Sequence, residues 1–357
     1  MSPESAEPHT LDAPAIANDL SAVDYISENV LETAFVPVER GEPGVASEPR
    51  DRRALVIGEA LVDVVRRADG STTEHPGGSP ANVALGLGRL GRGVDLLTWI
   101  GKDDRGRAVA DLLGASAVAI VPGSDSAART SVAVATLSPE GAAVYDFDLS
   151  WEVPERWASP PAPPLVVHTG SIAAVLEPGG GDVARVLAAH RESATLTYDP
   201  NVRPSLMPPP EATRPIVERL VAMADVVKVS DEDLAWLVDE PPLVTARRWA
   251  GEGPALVVMT MGARGAVAVS SGREIEVAAP PVVVADTVGA GDSFMAGLID
   301  GLWTAGLLGA DRRAALRRTP EATVREIVAR CARIAAITVS RPGADPPTRA
   351  ELADGPT

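Results

Sequence analysis

The sequence predicts an α/β protein built on a doubly wound, mostly parallel sheet, with helices on both faces and a small β lid. Three observations carry this. Short, continuously apolar runs recur along the chain, segments of helical periodicity lie between them, and two alternating stretches around one turn stand apart from that pattern. Strands buried on both faces read as unbroken Val, Ile and Leu. Strand alternating with helix is the pattern of a parallel sheet.

Residues 1–53 differ in character from the rest of the chain. Pro3, Pro8, Pro14, Pro37, Pro43 and Pro49 interrupt them, and the first 50 residues hold ten acids against two arginines. That composition favours disorder. Ile16, Leu20, Val23, Ser27 and Val30 nevertheless fall at helical spacing, with Asp19 or Ser21 available as a cap. The segment is then either a tail with a transient helix or a helix that docks on its own subunit or a partner. An ordered domain is expected over 54–352, with 353–357 a tail. Ala54-Leu55-Val56-Ile57-Gly58 is its first strand, and similar runs recur at 165–168, 194–198, 226–229 and 256–259. Residues 182–190 and 215–224 have helical periodicity, and the Pro-rich patches at 160–164 and 208–210 read as loops. Residues 131–137 and 143–149 flank Ser138-Pro139-Glu140-Gly141, a hairpin-like turn. Together with 61–67 they make a small β-layer beside the main sheet, a lid over about 61–67 and 129–150.

Composition excludes several classes. Of 357 residues 45% are hydrophobic and 3% aromatic, so a sizeable core is built from Ala, Val, Leu and Ile. The formal charge of −17 argues against a nucleic-acid binder, which needs clustered cations for phosphates. Of 32 Lys and Arg residues only Lys102 and Lys228 are lysines. Cys331 stands alone, which rules out an intramolecular disulfide. No apolar run is long enough for a membrane span, and the acidic N-terminus lacks a signal-peptide pattern. A cytoplasmic protein is the expectation.

Two patterns mislead. Gly86-Leu87-Gly88-Arg89-Leu90-Gly91 matches G-x-G-x-x-G, but that fingerprint must follow a strand and open a helix. Here it continues a helix begun at Ala81, so its small residues serve close helix packing and Gly91 ends the helix. No G-x-x-x-x-G-K-[ST] occurs, and His9, His75, His168 and His190 have no zinc-ligand spacing.

The strongest local signal is Asp286-Thr287-Val288-Gly289-Ala290-Gly291-Asp292-Ser293, which runs into a helix with Phe294, Leu298 and Leu302 on one face. Free N–H groups and the dipole at a helix N-terminus attract anions, and glycines let a phosphate approach closely. A carboxylate beside a bound anion repels it. Asp292 makes sense there if it takes a proton from an attacking hydroxyl, or if it or Ser293 merely caps the helix. A second glycine turn, Pro76-Gly77-Gly78-Ser79-Pro80-Ala81-Asn82, also feeds a helix. Asn82 offers the mixed donors and acceptor that sugar hydroxyls need; the alternative is a tight turn with Pro80 in the first helical turn. Asp63, among apolar residues after the first strand, is either on an exposed edge or a hydroxyl acceptor. Tyr198-Asp199-Pro200-Asn201-Val202-Arg203-Pro204 gathers Asp, Asn and Arg at the carboxyl end of a strand, where open α/β sheets bind ligands.

These residues resemble the PfkB, or ribokinase-like, family of sugar kinases. The early Gly77-Gly78-Ser79-Pro80-Ala81-Asn82 and the late Asp286 to Asp292 stand in the family's order, and the resemblance covers roughly 54–352. Gly-Glu-Ala-Leu-Val-Asp at 58–63, Ser-Pro-Ala-Asn at 79–82 and Asp-Pro-Asn-Val-Arg-Pro at 199–204 look most like the fructokinase branch. The resemblance implies ATP-dependent phosphorylation of a sugar primary hydroxyl, D-fructose to fructose 6-phosphate. It implies Asp292 as catalytic base and Gly289, Ala290 and Gly291 as anion hole. Asp63, Gly77, Gly78, Asn82 and Arg203 would hold the sugar. Lys228, Ser230, Thr260, Gly262, Gly265 and Gly291 would line the nucleotide. Asp286, Val288 and Gly343 match a potassium site of many members, and the lid is a family feature through which members often pair as homodimers.

One departure concerns Mg²⁺. The family's Asn-x-x-Glu appears here as Ser230-Asp231-Glu232-Asp233, so that Asp233 keeps the charge on a shorter stem or Glu232 substitutes for it. Two rival functions stay open at this point. A 2-keto-3-deoxygluconate kinase would pair its substrate's carboxylate with Arg203, and a non-catalytic sugar sensor or scaffold would keep the fold without the chemistry.

Overall fold

The computed structural model describes residues 52–67, 69–137, 143–157 and 162–353. The expected tail and helix within 1–51, the turn at 138–141 and the end of the chain from 354 lie outside the described residues.

Among the described residues, thirteen strands fall into two sheets. They are β1 (Ala54–Ile57), β2 (Leu61–Arg66), β3 (Thr72–Gly77), β4 (Val94–Leu97), β5 (Val118–Ile120), β6 (Ser131–Leu137), β7 (Ala143–Asp148), β8 (Val166–Gly170), β9 (Thr195–Asp199), β10 (Val226–Ser230), β11 (Leu256–Thr260), β12 (Ala266–Ser270) and β13 (Arg273–Val277). The main sheet runs β13-β12-β11-β10-β9-β8-β1-β4-β5, parallel from β11 to β5 and antiparallel at β12 and β13. The helices are α1 (Ser79–Arg89), α2 (Asp104–Gly114), α3 (Gly179–His190), α4 (Pro210–Met223), α5 (Asp231–Leu237), α6 (Pro242–Glu252), α7 (Ala290–Thr304), α8 (Arg313–Arg317), α9 (Glu321–Val339) and α10 (Arg349–Ala353).

Successive strand residues feed opposite cores, because side chains alternate across a sheet. Ala54, Val56, Val226 and Val258 join α1, α2, α7 and α9 on one face, while Leu55, Ile57, Val227 and Met259 join α3 to α6 on the other. The central strands β1, β8, β10 and β11 are buried on both sides, which is why they read as almost continuously apolar. The central helix α7 is buried from Asp292 to Trp303. It carries one charge in its interior, Asp300, which pairs with Arg92 at 2.7 Å, Arg330 at 2.7 Å and Arg349 at 2.9 Å. Three guanidinium groups offset the desolvation that would otherwise forbid that carboxylate. No described helix is long and apolar enough to cross a membrane.

The lid is the second sheet, ordered β3-β2-β6-β7. β2, β6 and β7 match the expected segments, but β3 is a strand that the pattern of residues does not predict. Its Thr72-Thr73-Glu74-His75-Pro76-Gly77 is polar and contains a proline, which a central strand excludes and an edge strand tolerates. Two helices are longer than the periodicity predicts. Helix α3 starts at Gly179, where the Trp151 indole occupies the room a side chain would need. Helix α4 starts at Pro210 within a patch expected to be loop, because proline suits a first helical turn; Pro215 is carried inside the helix. The G-x-G-x-x-G segment is helical as far as Arg89, and a Cβ on Gly86 would stand 2.7 Å from that of Ala296 on α7. Its glycines serve packing.

Candidate active site

Parallel strands place their loops at one edge of the sheet, and the predicted residues gather there. Gly58 and Glu59 come after β1, Ser171 after β8 and Asn201 after β9, while Ser230 ends β10 and Thr260 ends β11. Two glycine turns open helices over the same edge. Gly78 caps α1 at φ 102°, where a Cβ would meet the Glu59 carbonyl oxygen at 2.5 Å. Gly289 caps α7 in the left-handed region at φ 74°, close against Ala344. No L side chain fits either position without strain.

The turns meet at Asp292. Its Oδ1 accepts from Ser79 Oγ at 2.7 Å and from Asn201 Nδ2 at 3.0 Å. Its Oδ2 accepts from Asn82 Nδ2 at 2.8 Å. Asn201 Nδ2 also reaches Ser79 Oγ at 2.7 Å, while Arg203 donates to Asn201 Oδ1 at 2.6 Å. Asn82, expected to face a sugar, therefore gives its amide to the carboxylate. Ser79 and Asn201 complete a set that residue types alone do not assign; their place within the two motifs is the signal that points to them. A carboxylate has about four acceptor sites. Three are filled, and one is left for an incoming hydroxyl.

Asp63 lies on β2, its carboxylate against Gly77 of β3, and His75 stands opposite it in register. Burial pushes Asp63 above the usual carboxylate range, with His75 and Arg203 pulling the other way. Glu59 is buried further in. Burial pushes its carboxyl up to about 7, against its hydrogen bonds to Ser171 and Ala173 and the charge of Arg203. Lid, β1 loop and β9 loop thus converge on Arg203.

The nucleotide residues form the other side. Ser230 and Thr260 are register partners at the ends of β10 and β11. Gly262–Arg264 makes a 3₁₀ turn closed by Met261 N–H to the Gly265 carbonyl at 2.8 Å, and Arg264 pairs with Asp231. Asp233 and Ser230 form a capping box. The Asp233 oxygens accept from Val202 N–H at 2.8 Å and Ser230 N–H at 2.9 Å. Both are engaged by main chain, so Asp233 shapes the loop, while Glu232 is exposed on the first turn of α5. Among the described residues no three His, Cys, Asp or Glu side chains gather as a metal site.

Asp286 brings together the residues expected around a potassium ion. Its Oδ1 accepts from Val288 N–H at 3.0 Å and its Oδ2 from Gly343 N–H at 2.8 Å. Amide hydrogens rather than carbonyl oxygens face that carboxylate. Lys228 is buried, and its ammonium pairs with Asp199 Oδ2 at 2.9 Å while lying close beneath Gly291.

A buried carboxylate at a glycine-started helix, beneath a β lid at the open edge of a doubly wound sheet, defines a phosphotransferase acting on small hydroxyl-bearing molecules. Known proteins share this form. A fructokinase from Xylella fastidiosa with bound ATP superposes with a TM-score of 0.74 at 22% identity, over 85% of this chain and 98% of that one. A fructokinase from Vibrio cholerae O395, in a form with fructose, ADP and potassium ion, gives 0.69 at 26% identity over 85% and 98%. A fructokinase from Klebsiella pneumoniae is 34% identical over 260 residues, which are 71% of this chain and 85% of that protein. The family described as pfkB family carbohydrate kinase matches residues 51–351. The chain belongs to the pfkB family of carbohydrate kinases.

Proposed function

We propose that the protein is a fructokinase that transfers the γ-phosphoryl group of ATP to the 6-hydroxyl of D-fructose. The observation that carries this is the meeting of Asp292 with Ser79, Asn82 and Asn201, which ties the late glycine turn to the early one. The sugar lies between Asp63, the Gly77-Gly78 turn and Arg203. As its hydroxyl oxygen bonds to phosphorus, its proton passes to Asp292 and the bond to the departing ADP oxygen breaks. The N–H groups of Gly289 and Gly291 face the charge on the transferred group, while Ala290 N–H donates to the Thr287 carbonyl at 3.3 Å within the turn.

ATP enters with its magnesium ion as substrate, along Ser230, Thr260, Gly262 and Gly265. Glu232, exposed on the first turn of α5, is the acid most open to order magnesium-bound water; each Asp233 oxygen already accepts one main-chain N–H. Asp286, Val288 and Gly343 are the candidate monovalent-cation residues, and no step is routed through that ion. Val144 and Tyr145 are 71% and 61% exposed on the lid strand β7, and pairing of two copies through the lids covers them. We place the enzyme in the cytoplasm, where ATP is available.

The test is ADP release with fructose, ribose, tagatose and 2-keto-3-deoxygluconate in parallel. Fructose is expected to give the highest kcat/KM. Preference for 2-keto-3-deoxygluconate would reassign the substrate, and binding of a sugar without turnover would favour a sensor.

A further inference from the structure

Lys228 is one of only two lysines against thirty arginines, and the other, Lys102, is exposed. At 228 the cation is 2% exposed and projects from β10 toward α7. Its Nζ lies 2.8 Å from where a Cβ on Gly291 would stand. The side-chain room missing from the anion hole is filled by an ammonium, and the broader, planar guanidinium used elsewhere in this chain is a different shape.

Among the described residues, the one hydrogen bond from Nζ goes to Asp199 Oδ2 at 2.9 Å. Asp199 Oδ1 is buried without any partner among them. Asp199 thus serves to hold Lys228, at the considerable cost of burying a carboxylate. Burial disfavours the ammonium, but Asp199, Asp233 and Asp292 around it outweigh this and keep it protonated.

We infer that Asp199 is a positioning residue for phosphoryl transfer: it holds the Lys228 ammonium under Gly291, facing the phosphoryl group through the anion hole. This rests on the kinase reading. Negative charge spreads over the equatorial oxygens of the group in flight, and a fixed cation in a dry site stabilises that charge without reorganising. Without Asp199, the carboxylates left to Nζ are Asp233 and Asp292. Drawn to Asp292, the ammonium fills the acceptor site that the sugar hydroxyl needs.

The full chain is tested as Asp199→Asn and as the double variant Asp199→Leu/Lys228→Met, which replaces a buried ion pair by apolar side chains of similar size, an exchange often near neutral for stability. Asp199→Asn is expected to lower kcat at least tenfold with KM for the sugar within threefold. The double variant is expected to unfold near the wild-type temperature and to stay at least as slow. Calorimetric titration supplies a readout apart from turnover. Loss of Lys228 should weaken the β,γ-imido analogue of ATP at least tenfold and ADP less than threefold. Wild-type kcat in the double variant, or in Asp199→Asn, overturns the inference, as does equal weakening of the two nucleotides. If Asp199→Asn alone fails to fold, the double variant carries the comparison. A wild-type chain that phosphorylates no sugar sinks the kinase reading instead, and the nucleotide comparison still decides whether Lys228 serves the third phosphoryl group.

Discussion

Asn82 on α1 donates to Asp292 on α7 at 2.8 Å, joining two glycine turns 210 residues apart in the chain. The bond fixes one carboxylate oxygen, and Ser79 with Asn201 fixes the other. The base is held by neutral donors, which orient it without removing its charge.

Asp292→Asn keeps the size of the side chain and removes the proton acceptor. The variant should fold as the wild type does and lose about 10²–10⁴-fold in kcat, the span of a general base. Circular dichroism and steady-state assays with the preferred sugar check this; near-normal turnover removes Asp292 from its role.

Ser79→Ala takes one donor from Asp292 Oδ1 and also removes the oxygen that Asn201 Nδ2 reaches at 2.7 Å. The base is held by fewer bonds, so kcat should fall by about 10- to 100-fold, since a net hydrogen bond to a charged group contributes about 1.5–3 kcal/mol. KM for ATP should not move. A change in KM alone would assign Ser79 to binding.

Gly289→Ala puts a Cβ where φ is 74° and Ala344 leaves no room. The loop must shift, and the N–H groups of the anion hole with it. Activity should fall by at least ~10²-fold, the scale of losing an oxyanion-type donor, while the sheet core, remote from the loop, retains its circular dichroism. Full activity in this variant would mean that the left-handed cap is not needed for the hole.

Glu59 gives a pH signature. Its folded pKa is about 7, above the 4.5 of a free glutamate, so between these values the folded state holds a proton that the unfolded chain has released. Stability from this group is present below pH 4.5 and is lost as pH rises through 7. At roughly 1.4 kcal/mol per unit, the whole effect is a few kcal/mol. Glu59→Gln removes it, so the Tm of the variant relative to wild type should rise from about pH 4.5 to 7 and level off above that. Parallel curves would show that Glu59 is already ionised in the fold.

Much of this is legible in the chain. The buried strands announce themselves because both sheet faces are covered, leaving no polar alternation to confuse the pattern. Both glycine turns carry their meaning locally, since backbone at positive φ and free N–H groups at a helix start depend on a few neighbours. β3 is hidden because its Thr, Glu, His and Pro suit an edge, and edge status is a property of the sheet. The start of α4 is hidden because proline punctuates loops and first helical turns alike.

The sequence by itself determined the fold class, the two glycine turns that open helices and the acid at 292, because each rests on periodicity or on backbone chemistry within one segment. Only the tertiary structure decided which side chains share hydrogen bonds. It turned Asn82 toward Asp292, spent both oxygens of Asp233 on main-chain N–H groups, and drew Lys228 under Gly291 to Asp199. Those assignments depend on distances between strands and helices far apart in the chain, where buried polar groups must find a partner and only packing determines which ones are within reach.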